Sequence, residues 1–421
     1  MRLSGSYGPI VTHDELERLL YTLARAVILE GRGGREAPAV FIWGPPGVGK
    51  SDTVKRVAER IASESGRTLH YYEGLRTYRE VQGNPEKHLV VVDLRASQME
   101  PSDVQGIPRL VEDRDAVYTV WAAPLWARIL SLPGIAGILF LDEVNLASPL
   151  VQAALYQVIL ERRVGSLKLS DRVFVVAAGN REQVDNPYAK PLAPPLANRF
   201  VHVTLECPDA STWLKWAEAH EIHPWIREFI ISQAAGGRNV LCNPPRETSD
   251  QTAFPTPRSW EFASNLLKQC QRVGGCKKLD DSDTVTMIAS AVGNSVANEW
   301  LIWAEVMRGL PSPKTLAKKP DKLAEVLATL TSKGEAMAAY YILARVAYAS
   351  LEEPEVYANL LISLPNVLRR AKLSMDYFNA VVSLTHPLAR EKLKKLEREK
   401  PELYNKLRRL LESHYALQLV M

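Results

Sequence analysis

Gly44-Pro45-Pro46-Gly47-Val48-Gly49-Lys50-Ser51 stands between two stretches of different periodicity. Before it, Ala39-Val40-Phe41-Ile42-Trp43 is an unbroken apolar run, as a parallel strand covered on both faces requires. After it, Val54, Val57, Ala58 and Ile61 recur at helical spacing. The octet fits G-x-x-x-x-G-K-[ST], a loop that carries a buried strand into a helix. Its glycines let consecutive backbone N–H groups point at one anion, and the helix N-terminus adds partial positive charge. Lys50 then reaches the β- and γ-phosphates of a nucleotide, while the Ser51 hydroxyl is a hard oxygen ligand for Mg²⁺. A phosphate cradle is thus expected over Gly44, Pro45, Pro46, Gly47, Val48, Gly49, Lys50, Ser51 and Asp52.

Further buried-strand runs follow at 89–94, 137–141, 173–178 and 200–205. Asp142-Glu143 closes the second of these, about ninety residues beyond the loop. There Asp142 is suited to the Mg²⁺ shell and Glu143 to polarising the water that attacks the γ-phosphate. The third run ends at Gly179-Asn180, where an uncharged amide can position the same water.

Upstream, Thr12-His13-Asp14-Glu15 begins a helix in capping-box fashion, with Leu16, Leu19, Leu20, Leu23 and Val27 at helical spacing before the glycines at 31–34. Residues 63–87 read as a loop with one short strand at 68–72. Apolar stretches at 107–110 and 116–121 bracket Glu112-Asp113-Arg114-Asp115 as a β-hairpin, set inside what would otherwise be a single helix. A helix is expected over 149–162, then a second small hairpin over 163–169, and a proline-rich loop over 186–195 leads to Asn198-Arg199-Phe200.

These residues resemble the ATPase core of the AAA+ superfamily, most closely its MoxR-like branch in the helix-2-insert clade. The marks are the P-loop, Asp93-Leu94-Arg95-Ala96-Ser97-Gln98-Met99-Glu100-Pro101-Ser102-Asp103 running to Gly106-Ile107-Pro108, and Leu141-Asp142-Glu143-Val144-Asn145, then Ala178-Gly179-Asn180-Arg181 and Asn198-Arg199-Phe200. The resemblance implies an α/β P-loop NTPase, an αβα core with a five-stranded parallel sheet over 1–205, an all-α lid over 206–309 and an α-helical extension over 310–421. It implies ATP and Mg²⁺ as cofactors, Asn180 as the sensor-1 residue, and Arg199 as the arginine finger serving a neighbouring subunit. The hairpins match the family's pore-facing or substrate-facing inserts. Members form rings, usually hexamers, and many remodel proteins together with von Willebrand factor A-type partners. A trans arginine also answers a physical need, since a lone site of this kind lacks a cation for the transition state; Arg162 and Arg163 are rivals to Arg199.

Beyond residue 206 the periodicity turns helical, with Trp213, Trp216 and Ala217 on one face and Trp225, Phe229 and Ile230 on another. A polar loop over 235–254 precedes Thr256-Pro257-Arg258, in which Thr256 caps a helix and Pro257 opens it. Arg258 resembles the sensor-2 arginine of MoxR-like lids. One long helix is expected over 283–307, then helical hairpins punctuated by Pro320, Pro354, Pro365 and Pro387. The apolar stretch 337–351, holding Arg345, reads as a core helix, and the charged stretch 388–411 as a solvated helical face with a Glu391/Lys395 pair.

With 52 basic and 48 acidic residues, the net charge of +4 exerts no strong pull toward nucleic acid or anionic membrane. No apolar h-region follows Met1 and no run is long enough to span a bilayer, so a soluble cytoplasmic protein without membrane contact is expected. Cys207, Cys242, Cys270 and Cys276 lack metal-site spacing and are expected as free buried thiols. The charge balance and short helices suit a heat-stable protein. A GTPase is disfavoured because no N-K-x-D sequence follows the core. Two alternatives to a protein-remodelling ATPase stay open: a nucleic-acid motor, against which the acidic first hairpin turn argues, and an ATP-binding switch, against which Glu143 argues.

Overall fold

Ala39–Trp43 is buried along its whole length near the centre of a sheet in which every pairing is parallel. The computed structural model describes residues 7–33, 38–182, 184–185, 189–243 and 253–413. The chain start at 1–6, Gly34 and parts of the loops at 186–195 and 235–254 lie outside them. In chain order the first unit, Met1–Glu206, holds β1 (Ile10–Val11), α1 (His13–Ile28), β2 (Ala39–Trp43), α2 (Lys50–Ser65), β3 (Thr68–Tyr71), α3 (Leu75–Val81) and β4 (His88–Arg95). Then come α4 (Pro101–Gln105), β5 (Ile107–Asp113), β6 (Ala116–Ala122), α5 (Leu125–Leu130), β7 (Ala136–Asp142) and α6 (Pro149–Glu161). Last are β8 (Arg163–Val164), β9 (Leu167–Lys168), β10 (Val173–Gly179), α7 (Pro194–Ala197) and β11 (Phe200–Leu205).

The sheet order is β1-β11-β2-β10-β7-β4-β3. The five strands expected of the core form its middle, the short strand expected at 68–72 joins one edge as β3, and β1 at the other edge raises the count to seven. β5 and β6 pair only with each other between α4 and α5, and so do β8 and β9 after α6. Register decides where the chemistry lies: Gly179 pairs with Trp43, Thr204 with Trp43, and Arg95 with Asp142. The C-terminal tips of β2, β10, β7 and β4 therefore end level, at the edge where open parallel sheets place ligands.

α1 begins with the expected capping box, Thr12 N–H donating to Glu15 Oε2 at 2.9 Å and Glu15 N–H to Thr12 Oγ1 at 3.2 Å. α3 departs from the expected loop. Its polar residues hide the helix from hydrophobic periodicity, yet Arg76 ties Glu73 and Glu80 across successive turns and Thr77 and Val81 are buried.

The second unit, Cys207–Met421, is all helix: α8 (Ala210–Ala219), α9 (Pro224–Ala235), α10 (Pro257–Arg272), α11 (Ser282–Val292), α12 (Asn294–Met307), α13 (Pro313–Lys318), α14 (Pro320–Ser332), α15 (Ala336–Ser350), α16 (Pro354–Arg370), α17 (Asp376–Glu399) and α18 (Pro401–Ser413). One apolar core runs from Trp213 to Leu411. Trp260, Trp300 and Trp303 are fully buried around Phe229, with ring centroids 5.1 to 5.7 Å from it. α15 packs against α9, α12 and α13, so the helices on both sides of residue 309 share this core. Arg345 sits in α15 because Glu228 of α9 accepts from its Nε at 2.7 Å.

Several expectations are corrected here. The helix expected over 283–307 is two, broken at Gly293, whose φ of +89° and whose approach to the Ala253 carbonyl suit glycine alone. Pro365 and Pro387 lie inside α16 and α17 instead of between helices. An interior proline costs about 3 kcal/mol, but buried Leu360, Leu361, Leu364, Val367 and Leu368 flank Pro365, each contributing roughly 1.5–3 kcal/mol. Glu391 pairs with Lys394 at 2.8 Å, and Lys395 with Glu399 at 3.7 Å, in place of the Glu391/Lys395 pair.

The cysteines are not free thiols: Cys207 is bonded to Cys242 and Cys270 to Cys276. The 35-residue separation of the first bridge is set by how α8 and α9 fold back, which spacing rules cannot read. Replacing Cys242 by Ser should lower unfolding stability by about 2–4 kcal/mol through loss of that cross-link. Denaturant midpoints of the variant and of the oxidised parent measure it, and equal midpoints would show the bridge to be energetically idle.

Candidate active site

α2 starts without a side-chain cap: Gly49, at φ +98°, occupies the capping position, and a helix N-terminus of this kind suits an anion. Lys50 folds back over this loop and is buried. Its Nζ donates to the Gly44 carbonyl at 2.5 Å, the Pro45 carbonyl at 3.0 Å and Asn180 Oδ1 at 3.3 Å. Gly44 N–H in turn donates to the Gly179 carbonyl at 3.2 Å. From α1, the His13 ring lies 2.7 Å from the Val48 carbonyl through Nε2. The Asp52 carboxylate is engaged within α2 by Arg56 Nη1 at 2.6 Å, leaving its backbone N–H as the part that suits a phosphate.

At the tip of β7, Asp142 Oδ2 accepts from Ser51 Oγ at 3.4 Å. Hydroxyl and carboxylate oxygens on facing elements are the donor set that Mg²⁺ takes. Asp93 on β4 adds a third hard oxygen group nearby. Though partly open to solvent, its carboxyl is pushed up, first by desolvation against the surrounding protein and then by the charge of Asp142. The Ser51 hydroxyl facing the Asp142 carboxylate is the pair that fits a divalent cation.

Glu143 adopts a left-handed backbone (φ +56°), an uncommon state for a residue with a side chain and one that collects at functional sites. Its N–H donates to Asp142 Oδ1 at 2.9 Å, and its Oε2 accepts a short hydrogen bond from Ser97 Oγ. Ser97 follows β4, the strand beside β7, so neighbouring strand tips bring the two together. Asn145 is fully buried two residues further on and binds the backbone of Asn180. Sequence reading assigned no role to Ser97, Asn145 or His13; the one available signal was that the first two fall within motif strings at adjacent strand ends.

Lys50, Ser51, Asp142, Glu143 and Asn180 thus gather at one edge of the sheet. Arg199 does not join them by a bond: exposed, it donates from Nη2 to the Tyr156 hydroxyl at 2.9 Å, with its guanidinium 5.5 Å from that ring's centroid. Its rival Arg162 is buried, which lowers its guanidinium to about 10, and that burial corrects its candidacy as a group reaching a neighbour. Arg163 is exposed and donates to the Ser166 carbonyl at 3.3 Å. Arg258 lies exposed in the first turn of α10, in the second unit. Among the described residues, no group of three or more His, Cys, Asp or Glu is placed to hold a metal ion, and no helix is long and apolar enough to cross a membrane.

Residues 39–200 match the family model described as the AAA domain (dynein-related subfamily), over less than half of the chain. No curated protein matches the sequence. Similar solved structures include the RuvB Holliday junction branch migration motor of Thermotoga maritima, at 15% identity and a TM-score of 0.33, covering 78% of this chain and 85% of that one. Domain III of the replication initiation protein DnaA, also from Thermotoga maritima, matches at 13% identity and 0.35, covering 70% and 95%. The Aeropyrum pernix ORC1 protein in complex with DNA matches at 16% and 0.35, covering 87% and 86%. Likeness at these scores carries no inference about a substrate or partner.

Proposed function

We propose that this chain, an ATPase by its AAA domain over residues 39–200, works as a ring of identical subunits that couples ATP turnover to remodelling or assembling a protein partner in the cytoplasm. The observation that carries the chemistry is the meeting of Lys50 with Asn180 and of Ser51 with Asp142 at level strand tips, with Glu143 one residue further on. In this reading the loop 44–52 binds the phosphates, and Ser51 and Asp142 hold Mg²⁺, which neutralises charge on the phosphates. Glu143 takes the proton of the attacking water, Asn180 orients that water, and Arg199 stabilises the transition state of the adjacent subunit. Arg258, in a lid over 206–309, senses the nucleotide, and the helices of 310–421 form the extension.

A protein partner is favoured over nucleic acid by the hairpin β5–β6. Ile107, Leu110, Val117 and Trp121 are each about half exposed or more, and Glu112, Arg114 and Asp115 at its tip bring no basic excess. An apolar surface with an acidic end suits a polypeptide and repels a phosphate backbone. The MoxR-like branch, a hexameric ring and a von Willebrand factor A-type partner are the finer parts of the proposal. Paired cysteines are compatible with a cytoplasmic location in the setting where intracellular disulfides persist, that of hyperthermophiles.

ATPase rate measured against protein concentration, with particle size followed with and without ATP, tests the ring. Specific activity should rise as an ATP-dependent larger species forms; flat activity from a monomer would overturn it. Mixing then tests Arg199. Arg199→Ala should lower turnover by about 10³-fold or more, and adding Glu143→Gln subunits should restore part of it, because they supply Arg199 to neighbours whose Glu143 is intact. Absence of any rescue would remove Arg199 from the trans role.

A further inference from the structure

We infer that Asn145 is a positioning residue for hydrolysis: it grips the backbone of Asn180 from both sides and so aims the Asn180 amide at Lys50. Asn145 Nδ2 donates to the Asn180 carbonyl at 2.7 Å, and Asn145 Oδ1 accepts from Asn180 N–H at 3.2 Å. The same side chain holds a second segment. Its Nδ2 also donates to the Lys190 carbonyl at 3.0 Å, and the Asn145 carbonyl accepts from Lys190 N–H at 3.3 Å. Both amide protons are therefore used, and the N–H and carbonyl of both Asn180 and Lys190 are satisfied by one asparagine with a relative exposure of 0%, 35 and 45 residues away in sequence.

Gly179 makes the approach possible. A Cβ there would stand 2.3 Å from Asn145 Oδ1 and 2.8 Å from Phe41 Cζ, so any side chain would drive the amide off. Asn145 belongs to the turn that begins at Glu143, while Lys190 lies on the path to Arg199. The clamp thus joins the acid that serves water, the amide that orients it and the segment leading to the outward-facing arginine. A buried asparagine used only for packing would contribute to stability without caring whether Asn180 keeps its side chain.

That difference supplies the test, which rests on the proposed role of Asn180 in hydrolysis. kcat, ATP affinity and melting are measured for Asn145→Ala, Asn180→Ala and the double variant. Asn145→Ala should lose about 10²-fold in kcat, the scale of a small misplacement of a reacting group, with ATP affinity close to the parent's. In the Asn180→Ala background the same change should cost little more. Losses that multiply, or an unchanged kcat in Asn145→Ala, would overturn the assignment. Asn180→Ala with parental kcat would instead refute the reading on which it rests. Asn145→Ser, which keeps one donor and leaves room for water, guards against simple misfolding and should lose less than Asn145→Ala. Loss of cooperative melting in both variants would make Asn145 a folding residue and end the proposal.

Discussion

Lys50→Ala should abolish measurable ATP binding at concentrations that saturate the parent. The ammonium is surrounded by three oxygens, of Gly44, Pro45 and Asn180, in a site where a phosphate would compete for the same protons. Hydrogen bonds to a charged group contribute about 1.5–3 kcal/mol each, and 1.4 kcal/mol is tenfold in affinity. Removing a charge that spans two phosphates should therefore cost about 10²-fold or more in Kd. Titration with a fluorescent ATP analogue reads this directly, and circular dichroism confirms that the variant folds. Retained affinity in a folded variant would mean that the backbone N–H groups at the start of α2 suffice, and that Lys50 serves the loop instead of the ligand.

Glu143→Gln should separate binding from turnover. The glutamine is the same size and can still accept from Ser97 through its amide oxygen, so the left-handed turn at 143 and the approach of Asp142 to Ser51 are preserved. What disappears is the proton acceptor, a role that contributes typically 10²–10⁴-fold. Single-turnover hydrolysis should fall by about that factor while ATP affinity stays level. A variant that hydrolyses at the parental rate would move the base to another group.

The strand, loop and helix over 39–65 were legible because their information is local: glycines, lysine and serine at fixed offsets, framed by a strand-like and a helix-like run. The placement of Asp142 and Asn180 at one sheet edge was legible at one remove, since parallel strands of similar length end at the same edge. Ser97 and Asn145 were not. Both are short, uncharged and common, and their meaning depends on which strand tip lies beside which, a property of sheet order and not of any window of sequence. The disulfides failed for the same reason, because Cys207 meets Cys242 only after the helices between them have turned the chain back. α3 and the break at Gly293 were missed where polar composition or a continuous apolar pattern masks what a backbone contact imposes. The bond of Arg199 to Tyr156 could not be foreseen either, because it joins residues 43 apart in sequence.

The shared core of α9 and α15 has a mechanical meaning. Cutting the chain after residue 309 would strip α15 from α9 and uncover the apolar residues it hides, so the piece left behind would be a damaged body and not a smaller lid. A displacement of α10 would be imposed on everything packed into that body, as far as α17 and α18. The C-terminal helices are thus mechanically continuous with α9, and a load placed on α15 would be borne by α9 as well.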